Sequence, residues 1–344
     1  MDGLMGIAKR VLVTGAGGFI GHHLVTHLKR AGDWVRAVDL KPPDCCPTDA
    51  DEFELLDLRR WDNCLQATRG VDEVFALAAD MGGMGFISAH HAEILHNNLL
   101  INLHTLDAAR VNGVRRYLYA SSACVYPEYR QTDANVTPLR EEDAYPAQPQ
   151  DAYGWEKLLA ERLCMHYREE YSMETRIVRF HNIFGPLGTW DGGREKAPAA
   201  ICRKVAMAKL TGKYEVEVWG DGEQTRSFCF IDDCVTGIHR LMESDYPEPL
   251  NLGQDRMVTI NQLVDIVAQI AGVRVTKKHV PGPQGVRGRN SDNTRLRKVL
   301  SWEPMISLED GLQRTYSWIE EQVRGRLAVP TATGEERRSI SDVP

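Results

Sequence analysis

The chain of 344 residues predicts an α/β fold, a doubly wound and mostly parallel sheet followed by a smaller mixed α/β unit. Three observations predict it. Short β-branched runs alternate with stretches of helical period through the first half of the chain. The first of these runs closes on a glycine-rich turn that opens a helix, and the alternation stops after Phe184.

Taken in order, RVLVT (Arg10–Thr14) reads as the first strand, and the helix after the turn carries Ile20, Leu24 and Leu28 on one face. WVRAVDL (34–40) is a second strand ending in Asp39. VDEVFALAA (71–79), RRYLYASSA (115–123) and TRIVRF (175–180) are further apolar strands with helical stretches between them. Beyond Phe184, GPLGTWDGGREKAP (185–198) is loop-like, residues 199–210 are helical, and VPGPQGVRGRN (280–290) is again a loop among short strands and two more helices. The first unit is expected over 9–186, with about 227–250 joining it, and the second over 187–226 and 251–328. The polar, Pro- and Gly-punctuated end (329–344) reads as disordered.

Composition narrows the function. Hydrophobic residues make up 43% and charged residues 26%, an ordinary globular balance with enough chain for a large core. A net charge of −7 argues against a general nucleic-acid binder, which needs a basic face. No run approaches the ~18 apolar residues of a membrane span, and MDGLMGIAKR is too short and broken for a signal peptide. The eight cysteines are scattered, with no C-x-x-C pair and no histidines at metal-ligand spacing. A cytoplasmic, metal-free protein is expected.

The turn GAGGFIG places Gly15, Gly18 and Gly21 at G-x-x-G-x-x-G spacing, with Gly17 beside them. Such glycines let the backbone bend tightly and approach a pyrophosphate, which then sits at the N-terminus of the helix that Phe19 and Ile20 open. Asp39, at the end of the next strand, is placed to bond ribose hydroxyls and repel a 2′-phosphate, which favours NAD over NADP. Asp57 and Leu58 follow the next strand-like stretch, where they could meet the adenine. A Rossmann-type, NAD-binding sheet is therefore expected, with the smaller unit binding substrate.

YGWEK carries Tyr153 and Lys157 about one helical turn apart on one face. A nearby ammonium lowers a phenol's pKa and lets it act as a base on a sugar hydroxyl. Ser121 and Ser122 end a preceding strand, where a third hydroxyl could share the proton. Arg226 and Arg289, in glycine-flanked polar loops, are natural forks for a pyrophosphate, and Gln224 and Thr225 lie beside the first. Lys204 follows Lys196 by two helical turns. Asn182 lies just past a strand end, and the loop from Gly82 to Gly85 allows close backbone approach over a ligand.

GAGGFIG, the strand-end serines and YGWEK together resemble the extended short-chain dehydrogenase/reductase family, over about residues 9–323. The resemblance implies that Ser122, Tyr153 and Lys157 oxidise a sugar C4 hydroxyl, passing a hydride to a tightly held NAD that Ala78 also contacts. Within the family, ADMGGMGF (79–86), SSACVYPE (121–128), RFHNIFGPLGTWDGGREKAPAA (179–200), WGDGEQTRSF (219–228) and GVRGRNSDN (285–293) are similar to the branch that epimerises GDP-mannose. Cys124 stands where 4-epimerases usually carry Thr or Ser and 4,6-dehydratases an acid. The resemblance makes Cys124 and Lys196 an acid/base pair on opposite faces of the sugar ring. It implies substrate contacts at Gly82, Ser122, Ala123, Cys124, Asn182, Glu195, Lys196, Ala197, Lys204, Gln224, Thr225, Arg226 and Arg289. It also implies a homodimer pairing through two core helices. Two features depart from the pattern: His22-His23 follow Gly21, and residues 205–218 read as a longer loop before WGDG. The rival readings are a net NAD-dependent oxidoreductase, a 4-epimerase or dehydratase of the same family, and a cofactor-sensing module that has kept its Tyr and Lys.

Overall fold

The computed structural model describes residues 8–328, so the expected disordered tail at 329–344 lies outside the described residues. From the amino end the elements are β1 (Arg10–Thr14), α1 (Phe19–Ala31), β2 (Trp34–Asp39), β3 (Glu52–Leu55), α2 (Trp61–Thr68) and β4 (Glu73–Ala76). Then come α3 (Met84–Ile87), α4 (His91–Val111), β5 (Arg116–Ser122), α5 (Ala152–Tyr171), β6 (Glu174–Phe180), β7 (Ile183–Phe184) and α6 (Ala197–Thr211). The rest comprises β8 (Glu215–Trp219), β9 (Thr225–Ser227), β10 (Cys229–Phe230), α7 (Ile231–Glu243), β11 (Pro249–Leu252), β12 (Met257–Thr259) and α8 (Ile260–Ala271). It ends with β13 (Thr276–Val280), β14 (Gly288–Arg289), α9 (Thr294–Leu300) and α10 (Leu308–Ala328).

Seven strands form one sheet in the order β11-β6-β5-β4-β1-β2-β3, and every neighbouring pair is parallel. Val11, Leu12 and Val13 are fully buried in succession, because helices cover both faces of the sheet. α1 and α7 contact each other and share one apolar cluster, while α2, α4 and α5 pack in a chain around the other. α1 buries Gly21, Leu24, Val25 and Leu28, and stops at Gly32 in the left-handed conformation, with Lys29 and Arg30 complementing its negative end. The strand order reverses at β1, between β2 and β4, so a crevice opens beyond the carboxyl ends of these strands.

Among the later elements α6 packs against α8 and α10, β8 lies beside β13, and β9 lies between antiparallel β12 and parallel β14, with α6, α8 and α10 joining the same apolar cluster as α1 and α7. Among the described residues four helices follow α6, where two are expected from sequence. Residues 205–218 are not a long loop. Val205 continues α6 to Thr211 and Glu215 opens β8, which leaves a short turn at Gly212, whose φ is +71°. Arg226 and Arg289 likewise stand on strands rather than in loops, because β9 and β14 are too short to leave a period in the sequence.

Candidate active site

Every sequence-marked group of the first unit comes to the carboxyl edge of the sheet. The Gly15 turn follows β1, and Asp39 ends β2 and accepts the Gly17 N–H at 2.9 Å. Ala78 follows β4, held by its N–H on Thr14 Oγ1 at 3.1 Å. A Cβ at Gly15 would lie 2.9 Å from Ala78 N, and one at Gly21 would lie 2.2 Å from Gly15 O, so these two glycines serve the chain's own packing. Gly18 differs: it is exposed, and its Cβ would meet only Gly15 O, at 3.2 Å. Gly18 caps α1 with no side-chain hydrogen bond, and the first turn carries no acid. The N–H groups of Phe19, Ile20 and Gly21 therefore point, without intrahelical partners, at open space ready for an anion.

Tyr153 and Lys157 lie on the buried face of α5, the Lys157 Nζ 5.5 Å from the Tyr153 ring centroid. The ammonium donates to Ala120 O at 3.0 Å. Burial first, then the Glu156 and Cys124 charges, push the Tyr153 phenol well above its ordinary value, while the nearby Ser122 hydroxyl pulls it back. The lowering expected from the ammonium is thus overturned, because desolvation outweighs it. The two strand-end serines part company. Ser121 is buried and donates to Glu161 Oε1 at 2.5 Å, whereas Ser122 faces Tyr153 and accepts the Cys124 N–H at 3.2 Å.

The second unit brings cations to the same place. The β9–β14 register sets Arg226 beside Arg289. Arg289 Nη1 donates to Cys124 Sγ at 3.3 Å. Arg226 donates to Thr225 O, Gln284 O and Val286 O at 2.7, 3.2 and 2.7 Å. Burial, then the neighbouring Arg289 charge, lower its guanidinium to about 9, with Cys124 acting the other way. Lys196 caps the N-terminus of α6. It remains open to solvent, yet the surrounding protein pushes its ammonium below the ordinary lysine value, while Cys124 and then Cys234 raise it.

A family model described as the NAD dependent epimerase/dehydratase family matches residues 11–253. The chain belongs to that family. It is 54% identical over 316 residues to "GDP-mannose 3,5-epimerase 1" of Oryza sativa subsp. japonica, covering 91% of this chain and 82% of that protein. It is 52% identical over 321 residues to the "GDP-mannose 3,5-epimerase" of Arabidopsis thaliana, covering 93% and 84%. Among solved structures, the UDP-glucose 4-epimerase of Thermotoga maritima with UDP-glucose superposes with a TM-score of 0.81 at 26% identity, covering 91% of this chain and 99% of that one.

The residues present fit the NAD of this epimerase/dehydratase family. The uncapped α1 terminus and unobstructed Gly18 suit a pyrophosphate, and Asp39 stands where a ribose would lie. Asp57 follows β3 as expected, but its carboxylate is gripped by Arg59 at 2.8 to 3.2 Å, and Leu58 is buried in the core. An adenine there would meet the Leu58 backbone and would have to compete with Arg59.

The remaining marked residues divide. Asn182 adopts φ +46° and spends its amide N–H on Ser227 O at 2.9 Å, which leaves its Oδ1 for a ligand. Gln224 is 6% exposed, donates to Trp219 O at 3.2 Å and keeps an unpartnered Oε1. Thr225 is hydrogen-bonded to Ala134 O, and Lys204 donates to Glu217 O at 2.8 Å. Ala123 is buried beside Cys124, and Ala197 begins α6. The Glu195 carboxylate does not face the cleft. Arg203 Nη2 and the Gly193 N–H hold it at 2.8 and 2.7 Å, so it fixes the loop that carries Lys196. Gly82 is buried against Phe86, and its neighbour Gly83 packs on Glu195 O.

Sequence reading missed three supports. Glu156 is fully buried and bonded by Asn98 and Asn102 at 3.0 Å each, behind Lys157. An acid on the inward face of the YGWEK helix was the available signal. Gly154 lets α5 approach the Cys124 carbonyl, where a Cβ would sit 2.2 Å away. Gln131, whose contacts are described below, left no signal in the sequence.

Proposed function

We propose that this protein epimerises GDP-mannose at C5 and at C3, by transient oxidation at C4, with a tightly held NAD. The carrying observation is that Cys124 Sγ accepts from Arg289, which β14 sets beside Arg226, with Tyr153 and Lys196 near enough to feel the Cys124 charge. NAD, when bound at the Gly15–Gly21 turn, supplies the two-electron acceptor for the C4 alcohol and the donor that restores it.

The chain's own residues do the rest. Arg226 and Arg289 hold the diphosphate, as guanidinium forks do. Burial raises the Tyr153 phenol, so Tyr153 has to enter the step as phenolate, which the Lys157 ammonium 5.5 Å from its ring favours; it then takes the O4 proton, with Ser122 as relay, and gives it back when C4 is restored. The C4 ketone acidifies the neighbouring C–H bonds. Cys124 Sγ takes the carbon proton, the electron pair delocalises into the carbonyl as an enolate, and Lys196 returns a proton to the opposite face. Its surroundings make Lys196 the better donor, since they weaken the ammonium's hold on its proton. The hydride removed from C4 would be returned to C4, so no net redox change occurs.

The test is NMR of the purified protein with GDP-mannose in deuterated buffer, without added NAD. Deuterium at C5 or at C3 and C5, with new L-sugar signals, is expected. Cys124→Ala abolishes that exchange, and Tyr153→Phe blocks the absorbance of reduced cofactor on adding substrate. Exchange that persists in Cys124→Ala sinks the role of the thiol, and turnover only with stoichiometric NAD favours a net oxidoreductase. We also propose a homodimer through α4 and α5, whose faces expose Leu95, Leu103, Trp155 and Leu159. Sedimentation as a monomer would refute it.

A further inference from the structure

Arg289 touches the candidate base, and what holds Arg289 is a neutral amide. Gln131 is 1% exposed, and its Oε1 accepts the Arg289 Nε–H at 2.6 Å. Its Nε2 donates to Tyr126 O and Pro127 O, both at 3.1 Å, on the chain just beyond Cys124. Its backbone carbonyl accepts from Arg287 N at 2.9 Å and Gly288 N at 3.2 Å, on the strand that carries Arg289. One side chain therefore ties the Cys124 segment to β14. A buried side chain that donates to two carbonyls and accepts from a guanidinium must be an amide, because a carboxylate has no hydrogen to donate and an amine nothing to accept with.

The amide also leaves the charge intact. A glutamate at this place would neutralise Arg289, and the guanidinium would no longer act as a cation on the sulfur or on a diphosphate. We infer that Gln131 is a positioning residue for the epimerisation step: it sets the Arg289 guanidinium against Cys124 while leaving its charge uncompensated. The charged and titratable groups that share the cleft with Cys124 are Tyr153 on α5, Lys196 at α6, Arg226 on β9 and Arg289 on β14. Gln131 adds no charge to this set.

The proposal rests on the role assigned to Cys124, and its test separates the two. Gln131→Met and Gln131→Glu holoenzymes are compared with the wild type in three readouts. These are reduced-cofactor absorbance on adding GDP-mannose, deuterium entry at C5 and C3, and iodoacetamide alkylation of Cys124 at fixed pH, followed on its peptide by mass spectrometry. Both variants should lose deuterium entry about tenfold or more while the reduced cofactor forms within twofold of wild type. Alkylation of Cys124 should slow at least threefold, more in Gln131→Glu than in Gln131→Met. Loss of C4 oxidation in step with exchange would mark Gln131 as merely structural and overturn the proposal, as would wild-type exchange and alkylation in both variants. Exchange surviving in Cys124→Ala would overturn the role of Cys124 instead, and the alkylation rates would still decide whether Gln131 sets the Arg289–thiol contact.

Discussion

Two arginine environments are linked through Tyr126, one fully buried and one half-buried, and they differ in what accepts from them. Arg179, in the core, faces Glu161 through Nε and Nη2 at 2.8 and 2.6 Å, with Tyr126 Oη and Glu141 O completing its shell. Its charge is matched, and the Glu161 and Tyr126 partners hold its guanidinium above the ordinary value against desolvation. Arg289 and Arg226, in the cleft, are fixed by an amide oxygen, a thiol and backbone carbonyls. Arg226 falls to about 9 because nothing anionic offsets its burial. A structural arginine is paid in full by its own chain, and the cleft arginines are left for a ligand to neutralise. The nature of the acceptor separates support from function.

The largest effect should come from breaking the matched pair. Glu161→Gln leaves Arg179 buried with an uncompensated charge and turns one of its two acceptor oxygens into a donor, at a cost of about 3–5 kcal/mol. Denaturant unfolding measures it, and a loss below about 1 kcal/mol would mean that the core tolerates a free cation as the cleft does.

A smaller effect is expected in the cleft. Arg226→Met gives up three hydrogen bonds to backbone carbonyls but also relieves a desolvated charge, so its unfolding free energy should change by about 1 kcal/mol or less. GDP is expected to raise the wild-type Tm, and most of that rise should be lost in the variant. The pH dependence has a definite sign. With the folded value lowered to about 9, below that of the free guanidinium, the unfolded chain binds more protons above that pH. The stability of wild type relative to Arg226→Met must therefore rise with pH above about 9. A fall there would show that the guanidinium is charge-compensated after all.

The sequence made much of this visible. Strands such as RVLVT have an unbroken apolar run because both faces are covered, and that run survives as a signal in one chain. The Gly15 turn, Asp39 and YGWEK are local spacings, and the folded chain sets them along one sheet edge. Cys124 and Lys196 were singled out by resemblance, since no local pattern relates two residues so far apart in the chain. Long-range acceptors were the blind spot. Glu195 looked like a ligand contact and turned out to serve Arg203, and Gln131 is a lone amide in a polar loop until β14 arrives beside it.

The same contrast extends to glycines, with the smallest expected change in stability. Gly21 has no room for a side chain, since its Cβ would press on the Gly15 carbonyl and Ala16 Cα, both backbone atoms that cannot turn aside. Gly18 has only Gly15 O near by, and its φ of −87° with ψ 177° suits any residue. Nothing in the chain demands glycine there; a ligand pressed on the helix terminus would. Gly18→Ala should therefore shift unfolding by no more than about 0.5 kcal/mol, the range of an unstrained surface change. NAD binding, followed by calorimetric titration of stripped protein, should weaken about tenfold, roughly 1.4 kcal/mol. Unchanged affinity would move the pyrophosphate away from Gly18, and a large loss of stability would put Gly18 with Gly21 among the residues the fold needs for itself.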